Sequence, residues 1–190
     1  MTNMPLHDLL SMKHQQLTPR QIPQPDLAEA GVLLALTDEP SPNVLLTRRA
    51  AHLSSHKGEV AFPGGKRDPE DDSIVATALR EAHEEVALHP ADVTVIGELD
   101  QVVSRFGYLV TPVLAIIPPG LQHVASPDEL DAVFEVPLSL FTQPPSRYFE
   151  RGAIRLPSYD FEDFHIWGLT AMMIAEFMNN FWDADISLKY

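Results

Sequence analysis

Three glutamates, Glu81, Glu84 and Glu85, sit together in "REAHEE", with Asp71 and Asp72 just upstream and a Pro63-Gly64-Gly65 turn before them. On a helix, positions three and four apart share a face, so these carboxylates would point together. Like charges at that spacing repel by roughly 0.2–0.5 kcal/mol per pair, so the cluster suits a task that uses convergent anionic oxygens. Carboxylates supplemented by a backbone carbonyl and water suit Mg²⁺ or Mn²⁺, ions that typically bridge protein carboxylates to substrate phosphates. The bland alternative is a solvated acidic face. Two features weigh against it. The cluster follows a glycine turn, where backbone can approach a ligand closely. It also follows a basic segment in which Arg48, Arg49, Lys57, Lys66 and Arg67, five of the chain's 13 Lys and Arg, lie with His52 and His56. Such a segment could hold an anion beside a metal.

Other chemistries fail on spacing. A calcium loop begun at Asp68 places Ser73 where glycine is needed and Leu79 where glutamate is needed. A phosphate-binding loop read into "GGKR" needs glycine at Val60 and Ser or Thr at Arg67. His83 and His89 are too far apart for the zinc-protease pair, and no G-x-S-x-G elbow occurs. The absence of cysteine excludes disulfides, thiolate zinc sites, iron–sulfur clusters and a cysteine nucleophile. A net charge of −14 is wrong for general nucleic-acid binding, which relies on Lys and Arg to neutralise phosphates. "MTNMPLHDLLSMKHQQLTPRQ" lacks the basic and apolar regions of a signal peptide, and no apolar run reaches membrane-spanning length. The expectation is a cytoplasmic chain with no nucleic-acid or membrane partner.

The elements that must position the carboxylates can be read from periodicity. Residues 1–29 read as a peripheral arm with one short helix around Leu6, Leu9 and Leu10, and residues 30–190 as one domain. "AGVLLALT" and "VLLTRRA", joined by a Pro-rich turn, read as a strand hairpin, and "GEVAFPGG" as a short third strand ended by the glycine turn. Val75, Ala78, Leu79, Ala82 and Val86 then recur at helical spacing, predicting an amphipathic helix over 72–87 with Asp71, Asp72 and Ser73 at its start. "DVTVIGELDQVVS" and "YLVTPVLAII" read as strands, "AVFEVPLSLF" as a strand turning into a short helix, and "ERGAIRLPSYDFEDFHIWG" as a strand pair. A C-terminal helix carries Trp167, Ala171, Ile174, Met178, Phe181 and Trp182 as one stripe, which suits core packing or the face of a homodimer. Strands on both sides of two well-separated helices indicate an α/β layered domain with a mixed sheet.

The residues Gly64 to Leu88 resemble the Nudix box, whose pattern is G-x5-E-x7-R-E-U-x-E-E-x-G-U, with U a bulky aliphatic residue. Arg80 to Glu85 fit its core, with Ala82 in the aliphatic slot. Asp72 stands where the first glutamate is expected, one residue further from Gly65 than the pattern has it, and Ala87 replaces the late glycine. Upstream, "LLTRRAAHLSSHKGEVAFPGG" resembles the signature of the coenzyme A pyrophosphatase branch, with Ser54 where that branch has arginine. The resemblance implies an α/β/α sandwich with a mixed sheet and a small-molecule diphosphate as substrate. It implies Mg²⁺ or Mn²⁺ held by Glu81, Glu84 and Glu85, with the Gly65 carbonyl. Coenzyme A would be cut to 4′-phosphopantetheine and 3′,5′-ADP. On this expectation Arg80 orients a neighbouring carboxylate, Glu84 is a ligand or the base, and Glu135 is a second candidate base. Arg49, His56 and Lys57 hold substrate phosphates, with Arg48 compensating for Ser54. Two competing readings are a hydrolase for another diphosphate, such as ADP-ribose or NADH, and a non-catalytic nucleotide-sensing module. The intact "REAHEE" argues against the second.

Overall fold

A ten-residue strand, β1 (Ala28–Thr37), is apolar on both faces and therefore belongs inside a sheet rather than at its surface. The computed structural model describes residues 4–24, 26–52 and 58–190. In it β1 pairs in parallel with β7 (Tyr108–Ile117) over its whole length, from Ala28 opposite Tyr108 to Thr37 opposite Ile117. On its other side β1 pairs antiparallel with β2 (Asn43–Arg49), as the hairpin reading expects, and with β4 (Gly64–Lys66). β2 continues the sheet to β3 (Val60–Ala61) and β8 (Leu130–Pro137), while β5 (Thr94–Glu98) and β6 (Val102–Val103) line up against β7. The sheet is mixed, as expected. The Pro-Gly-Gly segment is not simply a turn, because Gly64–Lys66 is itself a strand.

Side-chain alternation on β1 and β7 supplies two cores. Leu33 and Ala35, with Val113, Ala115 and Ile117, face helix α2 (Ile74–Val86), which contributes Ala78, Ala82 and Val86. Leu34 and Leu36, with Leu114 and Ile116, face α3 (Gly168–Trp182) and α1 (Leu6–Gln15). The result is the α/β/α layering. Against α2 the approach is very close: a Cβ at Gly31 would stand 2.7 Å from the Ile74 carbonyl oxygen, so glycine alone lets the helix start rest on the strand.

Two expectations are corrected here. The N-terminal helix is not peripheral, since Leu10 is fully buried in the α3-side core and His14 Nε2 lies 2.8 Å from the Glu98 carbonyl oxygen. The C-terminal helix has no single apolar stripe. Ala171, Ile174, Met178 and Phe181 are buried, but so are Met172, Met173, Ala175 and Phe177, while Trp167 precedes the helix and is exposed. The helix is enclosed on several sides by the sheet, by α1, and by a second sheet of three strands where a strand pair was expected. These are β9 (Arg147–Arg151), β10 (Ile154–Phe161) and β11 (Phe164–Ile166). Burial on several sides makes Ala171, Ile174, Met178 and Phe181 of that stripe core residues.

Candidate active site

The acidic helix is fixed at both ends. Ser73 caps it, its hydroxyl accepting from the Ala76 N–H at 3.1 Å, and neither neighbouring aspartate does so. At the C-terminus Ala87 adopts the left-handed conformation (φ 57°), and the Leu88 N–H returns to the Ala82 carbonyl. That is the helix-ending loop for which the family pattern carries glycine.

Glu81, Glu84 and Glu85 leave this helix into three different environments. Glu85 is buried, and its carboxylate accepts from the Gly64 N–H at 3.0 Å. Burial raises its pKa to about 7, and the negative charges of Glu81 and Glu129 add to the shift, against the Gly64 N–H and the cation of Arg49. Glu81 is partly buried directly above β4, where a Cβ at Gly65 would fall 2.5–2.7 Å from its carboxyl atoms. Burial raises its pKa too, opposed by Arg80. Glu84 is mostly exposed.

Arg80 ties these groups together. Its Nη1 donates to Glu81 at 2.9 Å and to Glu84 at 3.3 Å, and its Nη2 to the Lys66 carbonyl at 3.0 Å. Its strongest partner is Asp71, gripped by Nε at 3.0 Å and Nη2 at 2.9 Å in the two-pronged geometry that guanidinium favours. Those bonds hold the Asp71 carboxyl well below the usual carboxylate range. Asp71 also accepts from the Thr77 hydroxyl and the Asp68 N–H, both at 2.9 Å. Asp72, by contrast, is exposed and offers only its backbone carbonyl, to Arg67 at 3.5 Å. The anchor is therefore Asp71, which lies at the family pattern's own distance from Gly65. The additional residue falls between Asp71 and Arg80.

The remaining expected residues divide. Arg49 faces the acidic cluster, its charge lowering the Glu85 pKa, and its buried Nε has no hydrogen-bond partner among the described residues. Arg48, its neighbour on the strand, points the opposite way. It donates to Asp131 at 2.6 Å and Asp163 at 3.3 Å and lies over the Phe164 ring, so it is engaged away from the cluster. Glu135 is likewise elsewhere, beside Asn43 (3.4 Å) and His123 (3.6 Å). The carboxylate this segment brings to the site is Glu129, six residues earlier, which at roughly 3.3 Å per residue is about 20 Å away along the strand. The loop carrying Glu129 is tied to the helix end, with the Ser126 N–H donating to the Glu85 carbonyl at 2.8 Å. Ser54, His56 and Lys57 lie outside the described residues.

Beside Gly64 opens a cavity of about 520 Å³, into which Arg49, Lys66, Arg105, Phe106, Tyr108 and Trp167 project. Lys66 sits 5.3 Å above the Tyr108 ring. Cations beside aromatic faces suit an anionic ligand with a flat ring. Lys66 belonged to the basic segment, yet nothing in the spacing marked it for the cavity, and Arg105 comes from a loop without any motif.

A scan against family models matches residues 27–155 to the NUDIX domain. The chain belongs to the Nudix family. Among curated Nudix relatives, a protein of Escherichia fergusonii named Uncharacterized Nudix hydrolase NudL is 46% identical over 182 residues, covering 92% of this chain and 94% of that protein. Its namesake in Escherichia coli O7:K1 is 48% identical over 153 residues, covering 78% and 80%. Of solved structures, the Nudix hydrolase RenU from M. smegmatis is similar at 28% identity and a TM-score of 0.51, over 59% of this chain and 71% of that one. A MutT/nudix family protein from Enterococcus faecalis shares the fold at 18% identity and a TM-score of 0.53, over 96% and 70%.

The oxygen-only donor set suits a hard divalent cation. Buried Glu85 with Glu81 and Glu129 concentrates negative charge that Arg80 and Arg49 only partly offset, which is the electrostatic deficit such a cation relieves. Among the described residues no three Asp, Glu or His side chains are arranged to hold an ion, and Arg80 donates to both Glu81 and Glu84.

Proposed function

We propose that this Nudix protein hydrolyses the diphosphate of coenzyme A or its derivatives, releasing 3′,5′-ADP and 4′-phosphopantetheine or its acyl form. The observation that carries the reading is the carboxylate pair of partly buried Glu81 and buried Glu85, opening beside a cavity lined by Arg49, Lys66 and Arg105. That pairing of an acidic centre with cationic walls fits a ligand bearing several negative charges. The coenzyme A branch signature running from Leu45 to Gly65 supports the choice of substrate.

Glu81 and Glu85, with Glu84 and the Gly65 carbonyl, would hold Mg²⁺ or Mn²⁺. When bound, the cation neutralises the diphosphate, polarises a phosphoryl oxygen and acidifies the attacking water. The chain's own residues do the rest. Arg49 and Lys66 bind the phosphates and orient the P–O–P bridge for in-line displacement. Phe106, Tyr108 and Trp167 offer ring faces to the base and keep water off it. Arg80, anchored on Asp71, positions Glu81 and Glu84 as they turn toward the ligand. The proton from the attacking water goes to Glu84 or Glu129, the two exposed carboxylates beside the cluster.

The test is incubation with coenzyme A, ADP-ribose and NADH in the presence of Mg²⁺ or Mn²⁺, with products identified by mass spectrometry. Release of 3′,5′-ADP from coenzyme A is expected. AMP from either of the others at greater rate overturns the substrate assignment, and coenzyme A binding without cleavage under both metals overturns the enzymatic one. Glu84→Gln and Glu129→Gln compared in the same assay identify the base as the variant whose turnover loses its acid limb.

A further inference from the structure

Residues 118–129 join β7 to β8 and run past the end of the catalytic helix. The Val124 N–H donates to the Val86 carbonyl at 3.1 Å, and the Ser126 N–H to the Glu85 carbonyl at 2.8 Å. Both carbonyls belong to the last turn of α2, where a helix has no donors of its own to offer them. The loop therefore completes the helix that carries Glu81 and Glu85. It ends on Glu129, whose backbone carbonyl accepts from the Ala50 N–H at 2.8 Å. The charge of Glu129 contributes to the raised pKa of both helix carboxylates.

An inward-facing row of side chains seats this loop. Burial alternates along it, with Leu121, His123 and Ala125 turned in and Gln122 and Val124 turned to water. Leu121 and Ala125 pack on the core under α2. Between them His123 has only 9% of its side chain exposed. An enclosed imidazole needs a partner for its ring nitrogens. Its Nε2 is buried without a hydrogen bond among the described residues and faces Glu135 Oε1 at 3.6 Å, just outside the ~2.7–3.2 Å of a full hydrogen bond.

Glu135 is held in turn from the β1–β2 turn. The Asn43 side-chain amide lies 3.4 Å from Glu135 and 3.1 Å from Glu39. The Thr37 hydroxyl donates to Glu39 at 2.6 Å and accepts from the Asn43 N–H at 2.8 Å. A polar chain thus runs from the end of the sheet to the inner side of the loop. None of its members touches the acidic cluster, so any effect on chemistry passes through the loop itself.

We propose that His123 and Glu135 are positioning residues for hydrolysis, seating the β7–β8 loop so that it caps α2 and holds Glu129 against the Glu81–Glu85 cluster. This rests on the hydrolase reading but not on coenzyme A as the substrate. Glu129 is the carboxylate through which the pair acts.

The test measures steady-state kinetics with Mg²⁺ on the best substrate among coenzyme A, ADP-ribose and NADH, and amide hydrogen exchange on the metal-free protein. His123→Ala and Glu135→Ala are expected to lower kcat at least about tenfold, the lower end of the range for groups that support a metal site. KM should stay within about twofold, because Arg49, Lys66 and Tyr108 of the cavity stand on other elements. His123→Gln, which returns a side-chain N–H near the Nε2 position, should restore most of the loss. In a Glu129→Gln background, His123→Ala should lower kcat no further. Exchange at Val124 and Ser126 should quicken at least about tenfold in His123→Ala, with β1 and β7 as protected as in wild type, which also verifies that the variant folds. Unchanged kcat in His123→Ala overturns the proposal, and so does a loss that multiplies with that of Glu129→Gln. If wild type cleaves none of the three compounds, the hydrolase reading fails. Quickened exchange at Ser126 then still upholds the His123–Glu135 anchor, and unchanged exchange overturns it.

Discussion

Replacing Asp71 with asparagine should loosen the catalytic helix more than the loss of one surface charge suggests. Asp71 is nearly enclosed, with 7% of its side chain exposed, and it accepts four hydrogen bonds, two of them from Arg80. Removing one partner of a buried, hydrogen-bonded ion pair costs about 3–5 kcal/mol. Arg80 is 26% exposed and keeps Glu81 and Glu84, and discounting for that solvent access brings the expected loss to roughly 2 kcal/mol. Urea denaturation of wild type, Asp71→Asn, Arg80→Gln and the double variant would give the loss and the pair's coupling, expected above about 1 kcal/mol. The pH dependence has a definite sign. The folded-state pKa of Asp71 is depressed, so its stabilisation is complete above the unfolded value of about 4 and fades as pH falls below it. The gap between wild type and Asp71→Asn should be constant near neutrality and close in acid. Released from its anchor, Arg80 should compete for Glu81 and Glu84, weakening Mg²⁺-dependent turnover by about 10–100-fold, the range seen when ligand-supporting groups are removed. Additive single-variant effects, or a gap that widens in acid, would refute the idea that Asp71 anchors the site.

Three further outcomes follow from the geometry. Glu85 has a folded-state pKa raised to about 7, so its contribution is complete below the unfolded value of about 4.5 and is lost as pH rises through 7; metal-free wild type should therefore lose stability across that window, and Glu85→Gln should flatten the profile in melting experiments. Gly65→Ala places a methyl against the Glu81 carboxyl, so turnover should fall at least about tenfold while the melting temperature shifts little, because a flexible side-chain end can move aside. Ala87→Gly relieves a left-handed conformation at an exposed helix end and should stabilise the protein by about 0.5–1 kcal/mol in chemical denaturation.

The sequence shows most plainly where periodicity and burial coincide. Helix α2 was readable from its apolar spacing, and the mixed sheet from its short apolar runs. The apolar residues of α3 read as a single stripe although they are buried on several sides, because the β9–β11 sheet that covers them comes just before the helix and reads only as turns and short strands. At the site, residues carried by the helix were legible because their spacing has chemical meaning. Asp71 could have been found by counting forward from Gly65, but two adjacent aspartates offered the same side chain one residue apart. Glu129, Lys66 and Arg105 carried no such signal, since sheet topology alone brings them to one place. Arg49 is expected at substrate phosphates and Arg48 to compensate for Ser54, both toward one site, yet strand alternation sends Arg49 to the cluster and Arg48 to Asp131.

The parallel pairing of β1 with β7 joins residues 80 positions apart at every rung, from Ala28 with Tyr108 to Thr37 with Ile117. Such non-local pairing is slow to form. During synthesis the central rung of the sheet cannot close until Ile117 has left the ribosome, long after α2 has emerged. Until then the acidic helix has no complete platform to lie on, and its carboxylates remain hydrated and apart. A nascent chain halted short of Ile117 should accordingly stay protease-sensitive over Gly31–Arg49 and Val60–Leu88, and acquire protection over both stretches in one step once β7 is available.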